Sequence, residues 1–561
     1  MQEVLGVTAD ALVRPAAPEH GDYQVNGVLP LAKLKKEQPR KLADPLAAKL
    51  RESESIESAE VAGPGFINLR LKPAWVAQAL CESAADQARD GVPPVAQPQR
   101  IVVDFSGPNI AKQMHVGHLR STIIGDAVCR LLRFAGHTVI GDNHIGDWGT
   151  QFGLLIVGMR EYGSADALRD QPIDELERVY KLASARTKTD EAFAEAARAE
   201  LAKLQRGDAD NKAQWERFVA ATRVELDKIY DRFGVKFDVW LGESAYEDML
   251  PGVIEELKQK GLAREDQGAL CVFFDDNPEL KKTPLIVQKK DGAYLYATTD
   301  VATLFYRRDH FNADRAIYLV DARQSLHFKQ LFALAKKLGI EMQLQHISFG
   351  SVLGKDGKPL KTRDGQAIRL ADLLDEAESR ARERMQKARE ENVIELDDAA
   401  IAELSPVVGI GAVKYADLMQ NRASDYQFDW DKMISFKGNA GPYLQYAHAR
   451  IQAVFRKGEV DPASLQAPTS LVLEHPAELA LGKELLRFAD VVHAAAEQCL
   501  PHLLCEHLYS LARSFSVFYE ACPILRAEPQ VRAARLDLAW LTARQLHRGL
   551  GLLGIAAPSR M

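Results

Sequence analysis

Between Ile101 and Ile140 the chain spells out a strand, a loop, a long helix and a second strand, and no other feature constrains its fold as much. Ile101-Val-Val-Asp-Phe is a short apolar run of buried-strand type. After a Gly-Pro-Asn loop, Leu119, Ile123, Ala127, Leu131 and Ala135 recur at every fourth position, the period of one helix face. Gly136 ends that helix, and His137-Thr-Val-Ile begins the next strand. Strand–helix–strand is the unit of a parallel α/β sheet, and such sheets bind ligands beyond the carboxyl ends of their strands.

The rest of the chain can be divided around this unit. Its 561 residues make room for three or four domains at about 150 residues each. The stretch Gly91-Val-Pro-Pro-Val-Ala-Gln-Pro-Gln is a linker by composition; before it, Gly65-Phe-Ile-Asn-Leu-Arg-Leu alternates like a half-buried strand. From about 161 to 248 the text is charged, alanine-rich and helical, and interrupts the α/β rhythm. Strand signals return at Ala269–Phe274 and Leu285–Gln288, where Asp291-Gly292 predicts a turn back onto Ala293–Ala297. After Leu370 the pattern is helical almost throughout. The expected architecture is an α/β chain: an α+β N-terminal domain (1–95), a Rossmann-type parallel-sheet domain (96–370) with a helical insertion (about 161–248), and a C-terminal α-helical bundle (371–561).

Composition narrows the function classes. With 47% apolar and 27% charged residues the chain is ordinary globular protein and not disordered. Apolar stretches such as Phe152–Met159 and Pro406–Val413 fall short of the roughly 20 residues that span a bilayer, and Met1-Gln-Glu-Val opens no secretory signal. The expectation is a cytoplasmic protein without membrane contact. None of the six cysteines forms a Cys-x-x-Cys pair, so they read as small buried hydrophobes and no metal is expected. A net charge of −7 argues against coating nucleic acid non-specifically, and DNA is not an expected partner. From Phe436 onward the balance is +2 against −9 for the remainder, which leaves room for a local polyanion contact there. A second basic cluster, Lys33, Lys35, Lys36, Arg40 and Lys41, is either a solvated face or a phosphate-contacting patch.

The chemistry concentrates in His115-Val116-Gly117-His118, between the first strand and the long helix. A helix N-terminus offers free N–H groups and a positive dipole end, so it favours phosphate. Gly117 lets a base or ribose approach the backbone, and the two imidazoles, three residues apart, can donate to phosphate oxygens as charge moves toward departing pyrophosphate. Lys112 can add a cation. Two histidines without a third ligand make a poor zinc site. Some 240 residues later comes Gly354-Lys-Asp-Gly-Lys-Pro-Leu-Lys-Thr-Arg-Asp-Gly365, a glycine-rich loop carrying Lys355, Lys358, Lys361 and Arg363. A closing cationic loop would steady a triphosphate in the transition state by positioning and electrostatics alone.

His-Val-Gly-His followed by a lysine loop resembles the two signatures of the class I aminoacyl-tRNA synthetases. The wider text resembles the arginyl family among them, through Val103-Asp-Phe-Ser-Gly-Pro-Asn-Ile-Ala-Lys112, Gly146-Asp-Trp-Gly-Thr-Gln-Phe-Gly153, Tyr296-Ala-Thr-Thr-Asp300, Asp321-Ala-Arg-Gln324, Val413-Lys-Tyr-Ala-Asp-Leu418 and Gly441-Pro-Tyr-Leu-Gln-Tyr-Ala447, and through the final Arg560-Met561. The resemblance implies ATP-dependent activation of arginine and its transfer to tRNA(Arg), with Mg2+ accompanying ATP and the chain acting as a monomer. His115, His118, Lys112 and Lys361 would be catalytic; His115, Gly117, His118, Lys355, Lys358 and Lys361 would meet ATP. Arginine would be held by Asp104, Gly107, Pro108, Asn109, His118, Tyr296, Asp300 and Gln324. A guanidinium donates in a fork and wants carboxylates; Asp300 is the best candidate, with Tyr296 on its face if that stretch is helical. Two departures stand out: Gly107 offers no side-chain hydrogen bond, and Lys361-Thr-Arg-Asp lacks the second lysine of the full motif.

The resemblance further implies that the N-terminal domain touches the outer corner of tRNA and the C-terminal bundle reads the anticodon. From the residues themselves, Asn439, Tyr443, Tyr446 and Arg450 at a turn and helix start suit stacked, splayed bases, and core packing of the tyrosines fits equally well. A small-molecule nucleotidylyltransferase would share the histidine motif without needing a long helical C-terminal part, and a silent tRNA-binding relative would not need intact His115, His118, Lys361 and Asp300.

Overall fold

A computed structural model describes residues 1–361 and 367–561. Its centre is a four-stranded parallel sheet of β1 (Arg100–Asp104), β2 (Thr138–Asp142), β3 (Arg315–Leu319) and β4 (Gln343–Ile347), in the order β4-β3-β1-β2. Ile101 pairs with Val139 on one side and Arg315 on the other, in parallel register. The chain leaves β1 toward β2 on one side and returns later to β3 on the other, so a topological switch point falls between β1 and β3. The helix after β1, α1 (Val116–Ala135), has Leu119, Ile123, Ala127, Leu131 and Ala135 fully buried, as their spacing predicts.

The helical insertion contains α2 (Pro172–Arg186) and α3 (Ala209–Phe233) and is narrower than its composition suggests. Beyond Gly234 the chain already rejoins the sheet: Asp238 N–H donates to the Gly141 carbonyl at 2.9 Å and Glu243 N–H to that of Ile145 at 3.1 Å. Charged composition marks a solvated helical face, but it cannot mark where a loop regains β-type pairing. Asp291-Gly292 does turn the chain, with Lys289 N–H bonded to the Ala293 carbonyl at 2.9 Å, yet the return limb is a single Gln288–Tyr294 bridge. It gives way at once to α4 (Tyr296–Asp309), whose buried face Ala297, Val301, Ala302, Leu304 and Phe305 outweighs strand pairing.

The N-terminal region is a four-stranded antiparallel sheet with helices Val28–Lys35 and Pro39–Arg51 beside it. It meets the C-terminal helices directly: Lys483 Nζ lies 2.8 Å from Asp22 Oδ1. The proline-spaced linker is docked, with Val92 fully buried and Val95 N–H bonded to Ala135 at 2.9 Å. After Leu370 come Leu370–Glu390, α5 (Asp398–Leu418), α6 (Gly441–Lys457), α7 (His502–Ala521) and α8 (Pro529–Leu552), with shorter helices between. Helix α5 is long and apolar enough to cross a membrane, which the short apolar runs do not foretell; it lies largely buried among other helices and carries the buried Lys414 and Asp417. All six cysteines are free, and all but Cys81 are buried.

Candidate functional site

Beyond Asp104 the chain bends sharply. Ser106, Gly107 and Ala111 all have positive φ, a strained choice for the two that carry side chains. The strain at Ser106 is offset by a buried set of bonds: its N–H donates to Ser121 Oγ (2.9 Å), and its hydroxyl pairs with Thr122 Oγ1 (2.8 Å) and Tyr230 Oη (2.7 Å). Gly107 sits at φ 54°, where an added Cβ would stand 3.1 Å from the His144 carbonyl, so glycine suits both the conformation and the space. The loop after β1 is laced to the loop after β2: Gly146 N–H donates to the Pro108 carbonyl and Ile110 N–H to that of Gly146, each at 3.1 Å. A Cβ at Gly146 would collide with the Asn109 amide.

These loops form one wall of a cavity of about 530 Å³ at the switch point. Asp104, Gly107, Asn109 and Ser121 line it from the β1 side, Tyr318, Leu319 and Val320 from the end of β3, and Tyr296, Thr299 and Asp300 from α4. Tyr296 and Asp300, one turn apart, share a face as expected; the tyrosine, 64% exposed, stands at the mouth. One oxygen of Asp300 meets His327 Nε2 at 2.6 Å, and His327 packs edge-on against Tyr296 with ring centres 5.0 Å apart. Gln324 also lines the cavity, whereas Pro108 and His118 are not on its lining. Asp104 reaches the cavity with one oxygen already engaged: the fully buried Arg307 donates to it at 2.6 Å and to Asp142 at 2.9 Å. Asp104, Asp142 and His144 are close enough together to hold a cation, but Arg307 already supplies positive charge to both carboxylates.

The histidine motif occupies the entrance to α1, one turn before Ser121. His115 is the N-cap: its Nδ1 accepts from Gly117 N–H at 3.0 Å, and His118 Nδ1 accepts in return from His115 N–H at 3.2 Å. Each Nδ1 is therefore an acceptor, which places the proton of the neutral ring on Nε2 and leaves both Nε2–H groups as donors. Burial holds both rings below the ordinary histidine range, His118 at about 4, with His115 and Lys112 adding to the effect on it. Gly117 has a local reason to lack a side chain: a Cβ would stand 2.7 Å from Cε1 and 2.8 Å from Nδ1 of His115, inside the capping bond. Lys112 is exposed, its ammonium 5.6 Å from the centre of the Tyr180 ring on α2.

The lysine loop approaches this motif from a distance of 240 residues. Its described part is a hairpin: Gly354 N–H bonds to Lys358 at 2.7 Å and Leu360 N–H to Val352 at 3.0 Å, with Lys355, Lys358 and Lys361 exposed. Thr362, Arg363, Asp364 and Gly365 lie outside the described residues. At the hairpin base Val352 and Leu353 pair with Tyr426 and Gln427. Further on, Arg369 pairs with His115, Val116 N–H donates to Ile368 at 3.0 Å and Leu370 N–H to Met114 at 2.8 Å. A backbone ladder thus ties the end of the lysine segment to the cap of α1.

Several residues in the site escaped the sequence reading. Glu243 lines the cavity, and burial, with Asp147 and Asp300 nearby, pushes its carboxyl up to about 7. It lies in the stretch whose composition reads as insertion, and nothing local distinguishes it from solvated glutamates. His144 and His327 also line the cavity; each is within three residues of a matching stretch, the one signal that could have found them. Of the C-terminal candidates, Asn439 Oδ1 accepts from the Tyr415 hydroxyl at 2.6 Å. Tyr443 packs against Tyr509 and Tyr446 against Phe436, while the Arg450 guanidinium lies 4.6 Å from the Tyr519 ring centre. Tyr446, Arg450, Arg456, Lys457 and Arg560 share a groove of about 460 Å³. The tyrosines are thus packed and partly open at once.

The chain is similar to known proteins along nearly its whole length. The family model described as tRNA synthetases class I (R), catalytic domain, matches residues 81–430; the DALR anticodon binding domain matches 444–561; and the arginyl tRNA synthetase N terminal domain matches 3–71. Curated relatives named arginine–tRNA ligase include one from Marinomonas sp. (strain MWYL1), 46% identical over 99% of this chain and 96% of its own, and one from Chromobacterium violaceum, 47% identical over 98% and 95%. Among solved structures, the arginyl-tRNA synthetase of Plasmodium falciparum superposes with a TM-score of 0.86 at 30% identity, covering 100% of this chain and 97% of that one. The Thermus thermophilus enzyme superposes at 0.83 and 27% identity with the same coverage.

Proposed function

The chain belongs to the arginyl-tRNA synthetase family of class I, and from that premise we propose how its residues divide the work. The reaction is ATP-dependent ligation of L-arginine to tRNA(Arg). The arginine carboxylate attacks the α-phosphorus of ATP, the bond to the bridging oxygen breaks, and pyrophosphate leaves. A terminal ribose hydroxyl of tRNA then attacks the arginyl carbonyl, loses its proton, and AMP departs. No enzyme nucleophile is needed.

The observation that carries the division of roles is the single cavity with Asp300 on one side and the β1 loop on the other. We assign Asp300 to the guanidinium, with Tyr296 covering its plane and Gln324 and Asn109 accepting or donating at the other end. Asp104 contributes through its oxygen not engaged by Arg307. The carboxylate of arginine then points toward α1, where the Nε2–H groups of His115 and His118 meet phosphate oxygens. As neutral donors they favour charge that develops in the transition state over charge already present. We assign the outgoing pyrophosphate to the exposed lysine hairpin, through Lys355, Lys358 or Lys361, and Lys112 becomes available on leaving Tyr180. Magnesium would arrive on the triphosphate, which supplies its own oxygens, since the Asp104–Asp142 carboxylates are already paired. The groove of Tyr446, Arg450 and Arg456 suits splayed tRNA bases. In this reading the chain acts as a monomer in the cytoplasm, where ATP, arginine and tRNA meet.

Asp300→Ala tests this assignment. Arginine-dependent charging should fall by about 10²–10³-fold in kcat/KM for arginine, the cost of deleting one partner of a desolvated charge pair, while ATP binding persists. Unchanged arginine affinity would overturn the assignment.

A further inference from the structure

One turn of α5, Lys414 to Asp417, lies outside both cavities and yet reaches four other elements through buried polar bonds. Asp417 is fully buried, and its Oδ1 accepts from Arg120 Nε at 2.8 Å. Arg120 is 1% exposed and stands on α1 two residues past His118; it also donates to the Ser424 carbonyl at 2.9 Å and lies over the Tyr426 ring. Lys414, equally buried, sends Nζ to the carbonyls of Phe233 (2.8 Å), at the end of α3, and Gly554 (2.6 Å), just past α8. Asp126 of α1 is 3.7 Å from the same ammonium. Between them, the Tyr415 hydroxyl reaches Asn439 at 2.6 Å and the Cys505 carbonyl of α7 at 3.1 Å.

Stability alone is weak ground for this arrangement. Buried ion pairs are often replaced by apolar residues of similar volume at no loss, because desolvation consumes most of the attraction. Here part of the desolvation goes unrecovered: among the described residues, Arg120 Nη2 and Asp417 Oδ2 are buried without a partner. What a charged pair adds over packed methyl groups is direction. An apolar α5 could slide along α1 with little change in contact, whereas Asp417 meets Arg120 in one register only, and Lys414 meets three partners from three elements in one position only.

We propose that the Lys414–Asp417 turn is a positioning device for the reaction, locking the register of α1 against α7 and the end of α8 so that His115 and His118 stand at working height over the phosphates. Lys414, Tyr415 and Asp417 are then positioning residues that touch no substrate. The proposal rests on the histidine motif acting on ATP, as assigned above.

The decisive variant is Arg120→Met/Asp417→Leu, which removes both charges together and refills the volume. Its Tm and its KM for arginine and ATP should stay close to those of the parent, while kcat for arginyl-tRNA formation falls by about 30-fold or more, as expected when reacting groups are displaced by a fraction of an ångström to one ångström. A folded double variant with the parent kcat overturns the proposal. Tyr415→Phe deletes a single oxygen and should lower kcat by about 5-fold at unchanged KM for arginine. Should the double variant fail to fold, Tyr415→Phe decides alone, and a parent-like kcat in it refutes the device. A parent protein that forms no arginyl-tRNA would overturn the ligase assignment instead, and this shows before any variant is compared.

Discussion

The two ends of the catalytic cleft are built on opposite principles. The amino-acid end is a pocket whose acids are Asp104, Glu243 and Asp300, with Asp104 held by Arg307 and Asp300 by His327. The end assigned to the nucleotide is an open helix cap with two neutral imidazoles, one exposed glycine and the exposed Lys112, together with the three exposed lysines of the hairpin. The arginine side chain carries the same charge throughout the reaction, so it can be gripped by charges fixed in advance. A triphosphate changes its charge distribution as it reacts, and strong ground-state binding there would be wasted. Under the assignment proposed above, the contrast means that the pocket selects the substrate while the cap and hairpin accelerate the chemistry.

That contrast can be broken by separating KM from kcat. Next to the Asp300→Ala loss, which belongs to arginine binding, His118→Ala should cost about 10²-fold in kcat with KM for arginine within about twofold, the size seen for a single lost oxyanion donor. A change mainly in arginine KM would erase the distinction between the two ends. Because His118 titrates near 4, wild-type kcat should show no histidine step between pH 5 and 7 from this residue. Gly117→Ala places a methyl against the His115 ring and breaks the cap, so kcat should fall by about 10-fold; wild-type steady-state kinetics would show the ring can yield. The smallest effect sharpens the other end. Glu243 is neutral below about 7 and charged above it, so the pocket gains an anion as pH rises and arginine KM should drop by a few fold between pH 6 and 8. In Glu243→Gln that slope should vanish; an identical slope would remove Glu243 from arginine recognition.

Much of the site was legible because its residues cluster in short continuous stretches. The family resemblance named Asp104, Gly107, Asn109, Tyr296 and Asp300; the first three lie at and just past the end of one strand and the other two on one helix turn, so the fold brings two short stretches together. Glu243 was not legible, since an isolated glutamate in charged text gains its meaning only from the Asp147 and Asp300 carboxylates that the fold brings near it. Asp104 was legible as an acceptor but not as the partner of Arg307, which lies 203 residues away. For the tyrosines of α6 the sequence left base stacking and core packing open, and the fold leaves them packed yet only partly buried.

From its order of residues alone, this chain could be read as a parallel sheet with a histidine-capped helix after β1, because both depend on periodicity and short-range hydrogen bonds. Only tertiary folding decided that burial holds both imidazoles below the ordinary histidine range, that the lysine segment is stitched to His115, and that α5, apolar enough to cross a bilayer, is instead fastened by Lys414 and Asp417. Burial and long-range pairing set those outcomes, and neither leaves a mark in local sequence.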